Sequence, residues 1–190
     1  RNALSSAART LCVLAHHKNA GKDSVFRKKM LAIANVFYGV LEKHKHVADF
    51  SQHGRKARAN IQRALSVLGS ICRYHEIVLK DDDMEVDPEH IAAENGETQA
   101  MAKLLTWNNI TVRCRDIFEI YMKKNHAQTK CVALRAMCGI FIAHPRELFR
   151  MNQEGLIGQV MSEESPPSVQ LEALLCWREI LLVSIRSCSI

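Results

Sequence analysis

Nine histidines and seven cysteines are the side chains with which this chain could do chemistry. Cys72-x-x-His75 has the spacing of half a zinc site on a helix, and His44-x-His46 lies near His53 in the sequence. Neither has a second Cys/His pair at a spacing that completes a tetrahedral site. His144 also stands where His75 stands in a second copy of the surrounding pattern, so repeated packing explains Cys72 and His75 better than a unique ligand set. The sequence has no phosphate-binding glycine loop, nucleophile elbow or HExxH helix. Cys12, Cys72, Cys114, Cys131, Cys138, Cys176 and Cys188 fall mostly in apolar stripes, whereas a catalytic thiolate needs a polar, electropositive, partly open setting. Their odd number and surroundings fit free buried thiols in a reducing compartment, cytosol or nucleus, rather than a disulfide framework. The expectation is a protein with no catalytic residues, metal or cofactor.

Charge is more informative. The net value is +6, unevenly spread. Residues 1–76 hold 14 Lys/Arg against 4 Asp/Glu, a net of +10; residues 77–105 hold 2 against 8, a net of −6; residues 106–190 hold 10 against 8, a net of +2. Arg27-Lys28-Lys29 opens one predicted helix, and Lys43 and Lys45 close it. Arg55-Lys56-x-Arg58 opens the next, followed by Arg63 and Arg73. Cations along one ridge of stacked helices suit a phosphate backbone; for any single residue the plainer alternative is a solvated helix face. No aromatic residues alternate with these cations, so stacking on single strands is disfavoured. The acidic stretch from Lys80 to Glu97 reads as flexible loop, with a partner-docking strip or a screen for the basic ridge as alternatives.

The elements that must carry these residues are helices. Ala64-Leu65-x-x-Leu68-x-x-Ile71-x-x-x-His75 recurs 69 positions later as Ala133-Leu134-x-x-Met137-x-x-Ile140-x-x-x-His144, and in part 40 positions after that as Ala173-Leu174-x-x-Trp177-x-x-Ile180. Steps of three and four place each set on one helix face. With the acidic stretch from Ile77 to Leu105 left out, the first offset also becomes 40, which is the period of two-helix HEAT or armadillo units. The fold class expected is all-α, an α-solenoid of HEAT/armadillo-like repeats.

Helices are predicted at about Ala3–His17, from Asp23 or Ser24 to His44, and at Ala57–His75, Asn109–Lys124, Gln128–His144 and Ser168–Val183. Short ones are predicted after Asp87-Pro88 and over Thr98–Trp107, with a weaker helical region over 146–162. In the second helix the predicted inward stripe is Phe26, Met30, Ile33, Phe37, Val40 and His44, opposite Arg27, Lys28, Asn35 and Lys43. In the fourth it is Ile110, Cys114, Ile117 and Tyr121. The chain divides into basic HEAT-like helices (1–76), an acidic insertion of loop and short helices (77–105), further HEAT-like helices (106–183) and a tail of uncertain status (184–190). It reads as a segment of a larger solenoid. No apolar run reaches the roughly 18 residues of a membrane span.

Three stretches resemble, in order and spacing, the HEAT region of the Nipped-B (adherin) family of cohesin-loading subunits: Ala64-Leu-Ser-Val-Leu-Gly69-Ser-Ile-Cys-Arg73-Tyr-His75; Ala133-Leu-Arg-Ala-Met-Cys-Gly139-Ile-Phe-Ile-Ala-His144-Pro145 with Arg-Glu-Leu-Phe149 behind it; and Ser168-Val-Gln-Leu-Glu-Ala-Leu-Leu175. The resemblance covers roughly residues 57–183. It implies a hook-shaped, non-catalytic helical protein of nuclear chromatin. Such a protein binds duplex DNA and cohesin subunits, stimulates cohesin's ATPase and promotes sister chromatid cohesion. It meets a tetratricopeptide partner through regions outside this chain. On this view Arg27, Lys28, Lys29, Arg55, Lys56, Arg58, Arg63 and Arg73 are the candidates for DNA backbone contact. The rival expectations are a HEAT/armadillo protein-binding scaffold, of transport-receptor or phosphatase type, and an enzyme with a Cys/His site.

Overall fold

The computed structural model describes residues 24–47, 54–79, 104–147, 160–162 and 164–188. Among the described residues five long helices follow one another: α1 (Ser24–His44), α2 (Arg55–Leu79), α3 (Ile110–Met122), α4 (Ala127–Ala143) and α5 (Pro167–Cys188). The described residues contain no strand, so the all-α expectation holds. The predicted helices over 3–17 and 87–95 lie outside the described residues, as does most of 146–162. Of the predicted helix over 98–107, Leu104 to Trp107 are described and are not helical. α2 runs past His75 to Leu79, and α5 runs past Val183 to Cys188.

Local chemistry sets several ends. The His126 ring precedes α4 and accepts the Thr129 N–H on Nδ1 at 3.2 Å, satisfying one of the free amides of the first turn. At the other end the His144 N–H closes on the Ile140 carbonyl at 2.7 Å, and Pro145 removes the next donor. α5 opens on Pro167, where a missing N–H costs nothing.

The helices form two antiparallel pairs laid side by side. α1 and α3 run parallel. The Asn35 amide donates to the Leu105 carbonyl at 3.1 Å and accepts the Leu105 N–H at 2.7 Å. Farther along, the Tyr121 hydroxyl donates to the Leu41 carbonyl at 2.8 Å. α2 and α4 also run parallel: Gln62 meets Thr129 at 3.4 Å, and farther along both helices Gly69 lies on Ala136. α5 continues in the same direction beside α4, through Cys131 to the Ser168 carbonyl, Arg135 to Glu172, and Cys138 to the Cys176 carbonyl. α3 and α4 are antiparallel, with Thr111 facing His144 at 3.4 Å.

The closest approach is that of α2 to α4. A Cβ on Gly69 would stand 2.4 Å from the Ala136 Cα, and one on Gly139 would stand 2.4 Å from the Gly69 carbonyl oxygen. Backbone meets backbone there, and no side chain larger than hydrogen fits either position.

The core follows the repeated pattern in its first two copies. Ala64, Leu65, Leu68 and Ile71 are buried, as are Ala133, Met137 and Ile140, while Leu134 is half-buried against the core. The third copy departs from the expectation. Ala173 and Ile180 are buried, but Leu174 is 54% exposed, because no described element lies over that side of α5. Ile110, Cys114, Ile117 and Tyr121 of α3 are all buried, as expected.

In α1 the buried line is Met30, Ala34, Phe37, Tyr38 and Leu41, with Phe26, Ile33 and Val40 at its flank. The observed line is therefore turned to one side of the predicted stripe. Asn35, predicted on the outer face, is half-buried in its clasp with Leu105. Arg27, also predicted outside, is buried with its guanidinium 6.0 Å over the Trp107 ring. Leu105 and Trp107 themselves are 2% exposed.

Gly69→Ala should cost about 1–3 kcal/mol through overpacking. Gly39→Ala, in open space on α1, should gain roughly 0.5–1 kcal/mol. Urea unfolding followed by circular dichroism reads both; equal midpoints for the two variants would contradict the backbone contact. Leu68→Ala should cost about 2–5 kcal/mol and half-buried Leu134→Ala distinctly less.

Candidate nucleic-acid interface

The parallel pairing brings the N-termini of α2, α4 and α5 to one end of the assembly, together with the C-termini of α1 and α3. Arg55 and Lys56 are exposed in the first turn of α2, and Arg58 is half-exposed. None of the first turns of α2, α4 and α5 contains an acidic residue. A helix N-terminus carries partial positive charge, so cations there are locally unfavourable and an anion is favoured. Lys130, half-exposed near the start of α4, adds another charge.

The cations at the helix C-termini of this end have structural work instead. The Lys124 ammonium donates to the carbonyls of Lys45 and Val47, both at 2.7 Å, beyond the last turn of α1. Lys45 pairs with Glu42 at 2.6 Å, and Lys123 pairs with Glu119 on its own helix. Lys43 and His44 lie in the last turn of α1, where positive charge suits the dipole.

The eight predicted contact residues do not form one ridge. Arg55, Lys56 and Arg58 share the end just described. Exposed Lys28 and Lys29 begin α1 and so lie at the opposite end, roughly 30 Å away by the rise of a helix of this length. Arg63 leans on the Asn60 side chain at 3.4 Å, past the first turns of α2. Arg73, toward the far end of α2, reaches Glu179 of α5 at 3.3 Å across a groove of about 480 Å³ floored by Gly69, Ala136 and Gly139. Arg27 drops out of the surface altogether, since its charge is buried against Trp107.

Two side chains that motif reasoning passed over as polar anchors hold this framework. Arg115 is buried and donates to Glu147 at 2.7 Å and to its neighbour Asp116. Burial pulls its guanidinium down, but the hydrogen bonds and charges of Glu147 and Asp116 outweigh that and hold it above its ordinary value. This ties α3 to the turn behind Pro145. Tyr121 is pushed up by burial, so its phenol stays protonated to donate to Leu41.

The described thiols lie in the core or, for Cys176, against it. Cys72, Cys114, Cys131 and Cys138 are buried and free. Cys114 is pushed well above the usual thiol range by burial and then by its hydrogen bond with Cys72. Among the described residues no three of His, Cys, Asp and Glu gather as a metal ion would need, and no described helix is long and apolar enough to cross a membrane.

His126 is the residue at this end that sequence reasoning missed; histidine is not a favoured cap, and the pattern starts the helix only at Gln128. Burial lowers its imidazole below the ordinary 6.5, and the nearby Arg58 charge lowers it further. Its cap needs an unprotonated Nδ1. The unfolded chain therefore takes up a proton that the folded chain refuses. This contribution to stability is complete above about 6.5 and is lost as pH falls from there through the lower folded value. His126→Asn, which caps without titrating, should flatten the difference in stability measured between about pH 8 and about pH 5. Arg58→Ala should move the His126 titration upward by NMR. An unshifted titration would separate the two side chains.

Compared with known proteins, the chain matches no protein-family model, no curated protein and no solved structure.

Proposed function

We propose that the chain is a segment of a HEAT-type helical-repeat stack that binds duplex DNA through its phosphates, and that it serves a Nipped-B-like cohesin loader on nuclear chromatin. The α1–α2 and α3–α4 pairs are two units with like helices parallel, and α5 takes the place of the second helix of a third. Contacting residues lie 67 apart between α2 and α4 and 37 or 38 apart between α4 and α5, close to the 69 and 40 of the sequence pattern. The segment has no catalytic role in this proposal. It docks cohesin subunits, while a tetratricopeptide partner binds elsewhere on the protein to which the segment belongs.

One observation carries the DNA proposal. Exposed Arg55 and Lys56 crowd the first turn of α2 beside half-exposed Arg58, where the dipole opposes positive charge and the turn itself holds no acidic residue. A phosphate seated there relieves both costs at once. A protein-binding scaffold is the second reading, favoured by the exposed apolar face of α5.

If ~4–6 phosphates are engaged, log K should fall with log salt at a slope of about −4 to −5. Joint reversal of Arg55, Lys56 and Arg58 to Glu should weaken binding regardless of DNA sequence and reduce the slope by about 3. Lys28→Glu with Lys29→Glu, at the far end, should leave it nearly unchanged. No binding at low salt, or binding indifferent to the triple reversal, would sink the proposal.

A further inference from the structure

We propose that Cys176 is a thiol-modification site: a small-molecule disulfide entering the groove between α2 and α5 reacts there, and Cys138 resolves the adduct into a Cys138–Cys176 disulfide that ties α5 to α4. The inference stands on the contact of α4 with α5 and does not need the DNA proposal.

The parallel register of the two helices sets the pair. Cys131 meets Ser168, Arg135 meets Glu172 at 2.9 Å, and Cys138 meets Cys176. The Cys138 Sγ lies 3.6 Å from the Cys176 carbonyl oxygen, and the two thiols hydrogen-bond each other. The two-pronged Arg135–Glu172 pair one turn away holds that approach.

Access separates this pair from the other one. Cys72 and Cys114 also share a hydrogen bond, but both are 0% exposed. Cys176 is half-exposed and lines the groove of about 480 Å³ described above, whereas Cys138 is buried behind it. A thiol that meets the oxidant and a sheltered thiol in contact with it form an attacking and resolving pair.

The shared hydrogen bond also eases formation of the thiolate that such exchange requires. It draws Cys138 below the usual thiol range and pushes Cys176 above it, so the pair gives up one proton and keeps the other between the sulfurs. Passing that proton to Cys138 puts the negative charge on Cys176, in the groove. The Cys176 thiolate then attacks one sulfur of the small disulfide, whose S–S bond breaks, and the far half leaves as a thiolate that takes up the proton the pair released. Cys138 next attacks the Cys176 Sγ and expels the near half, which takes the remaining proton. Two protein thiols are oxidised and one small disulfide is reduced to two thiols.

The test exposes the whole reduced chain to oxidised glutathione at neutral pH, traps remaining thiols with iodoacetamide, and maps the peptides by mass spectrometry. A peptide pair linked through Cys138 and Cys176 should appear at least about tenfold faster than any modification of Cys72 or Cys114. Cys138→Ala should halt the reaction at a glutathione adduct on Cys176, and Cys176→Ala should leave Cys138 unmodified. The oxidised chain should unfold at higher urea than the reduced one, and dithiothreitol should reverse the rise. The proposal is overturned if the linked pair is absent from the unsubstituted chain, if Cys72 and Cys114 react as fast, or if the Cys138→Ala chain gains no adduct at Cys176.

Discussion

Everything else in the assembly is arranged around the bare contact of Gly69 with Gly139 and Ala136. Helices kept apart by side chains can slide and re-register at modest cost; helices touching through backbone cannot, because interiors are packed like crystals. Here a carbonyl oxygen occupies the place where the next helix would carry a methyl group. α2 and α4 are thereby locked in parallel register. α1 is held on α3 by Asn35 at one end and Tyr121 at the other. The Gln62–Thr129 contact and the gathering of helix N-termini follow from that register. A shift of α2 by one turn would carry Arg55 and Lys56 away from the start of α4.

The same end shows two uses of positive charge. Lys124 completes the carbonyl end of α1, and Lys43 and His44 sit where the dipole welcomes them. Those cations stabilise the fold. Exposed Arg55 and Lys56 stand at the opposite pole of a helix, where the same physics works against them. The proposed phosphate contact would relieve that cost.

Much of this was legible in the sequence, and the gaps have a common cause. Spacing alone located α2 to α5 to within a few residues and picked out Ile110, Cys114, Ile117 and Tyr121 as inward. Periodicity works when one face of a helix is covered. α1 is covered by both α2 and α3, so its buried line includes Ala34 and Tyr38 and turns away from Ile33 and Val40. Arg27 and Asn35 were misplaced for a related reason: their partners, Trp107 and Leu105, stand far along the chain, beyond the whole of α2, and no local pattern announces such a pairing. The cationic end could not be read either. Seven of the eight candidate residues remain at or near the surface, but only the parallel packing of α2 on α4 shows that three of them share an end with the starts of other helices.

α5 sharpens the contrast between pattern and context. Leu174 has the residue type and spacing of Leu65, yet one is open and the other sealed; burial belongs to the neighbour, not to the side chain. In a stack of helical repeats a free outer face is made polar to stay soluble, and α5 instead carries six large apolar groups around one arginine. Because α5 runs parallel to α2 and α4, a helix laid on it in the same sense would bring its own N-terminus to the cationic end. The row of helix starts without an acidic first turn would lengthen, and the positive surface with it.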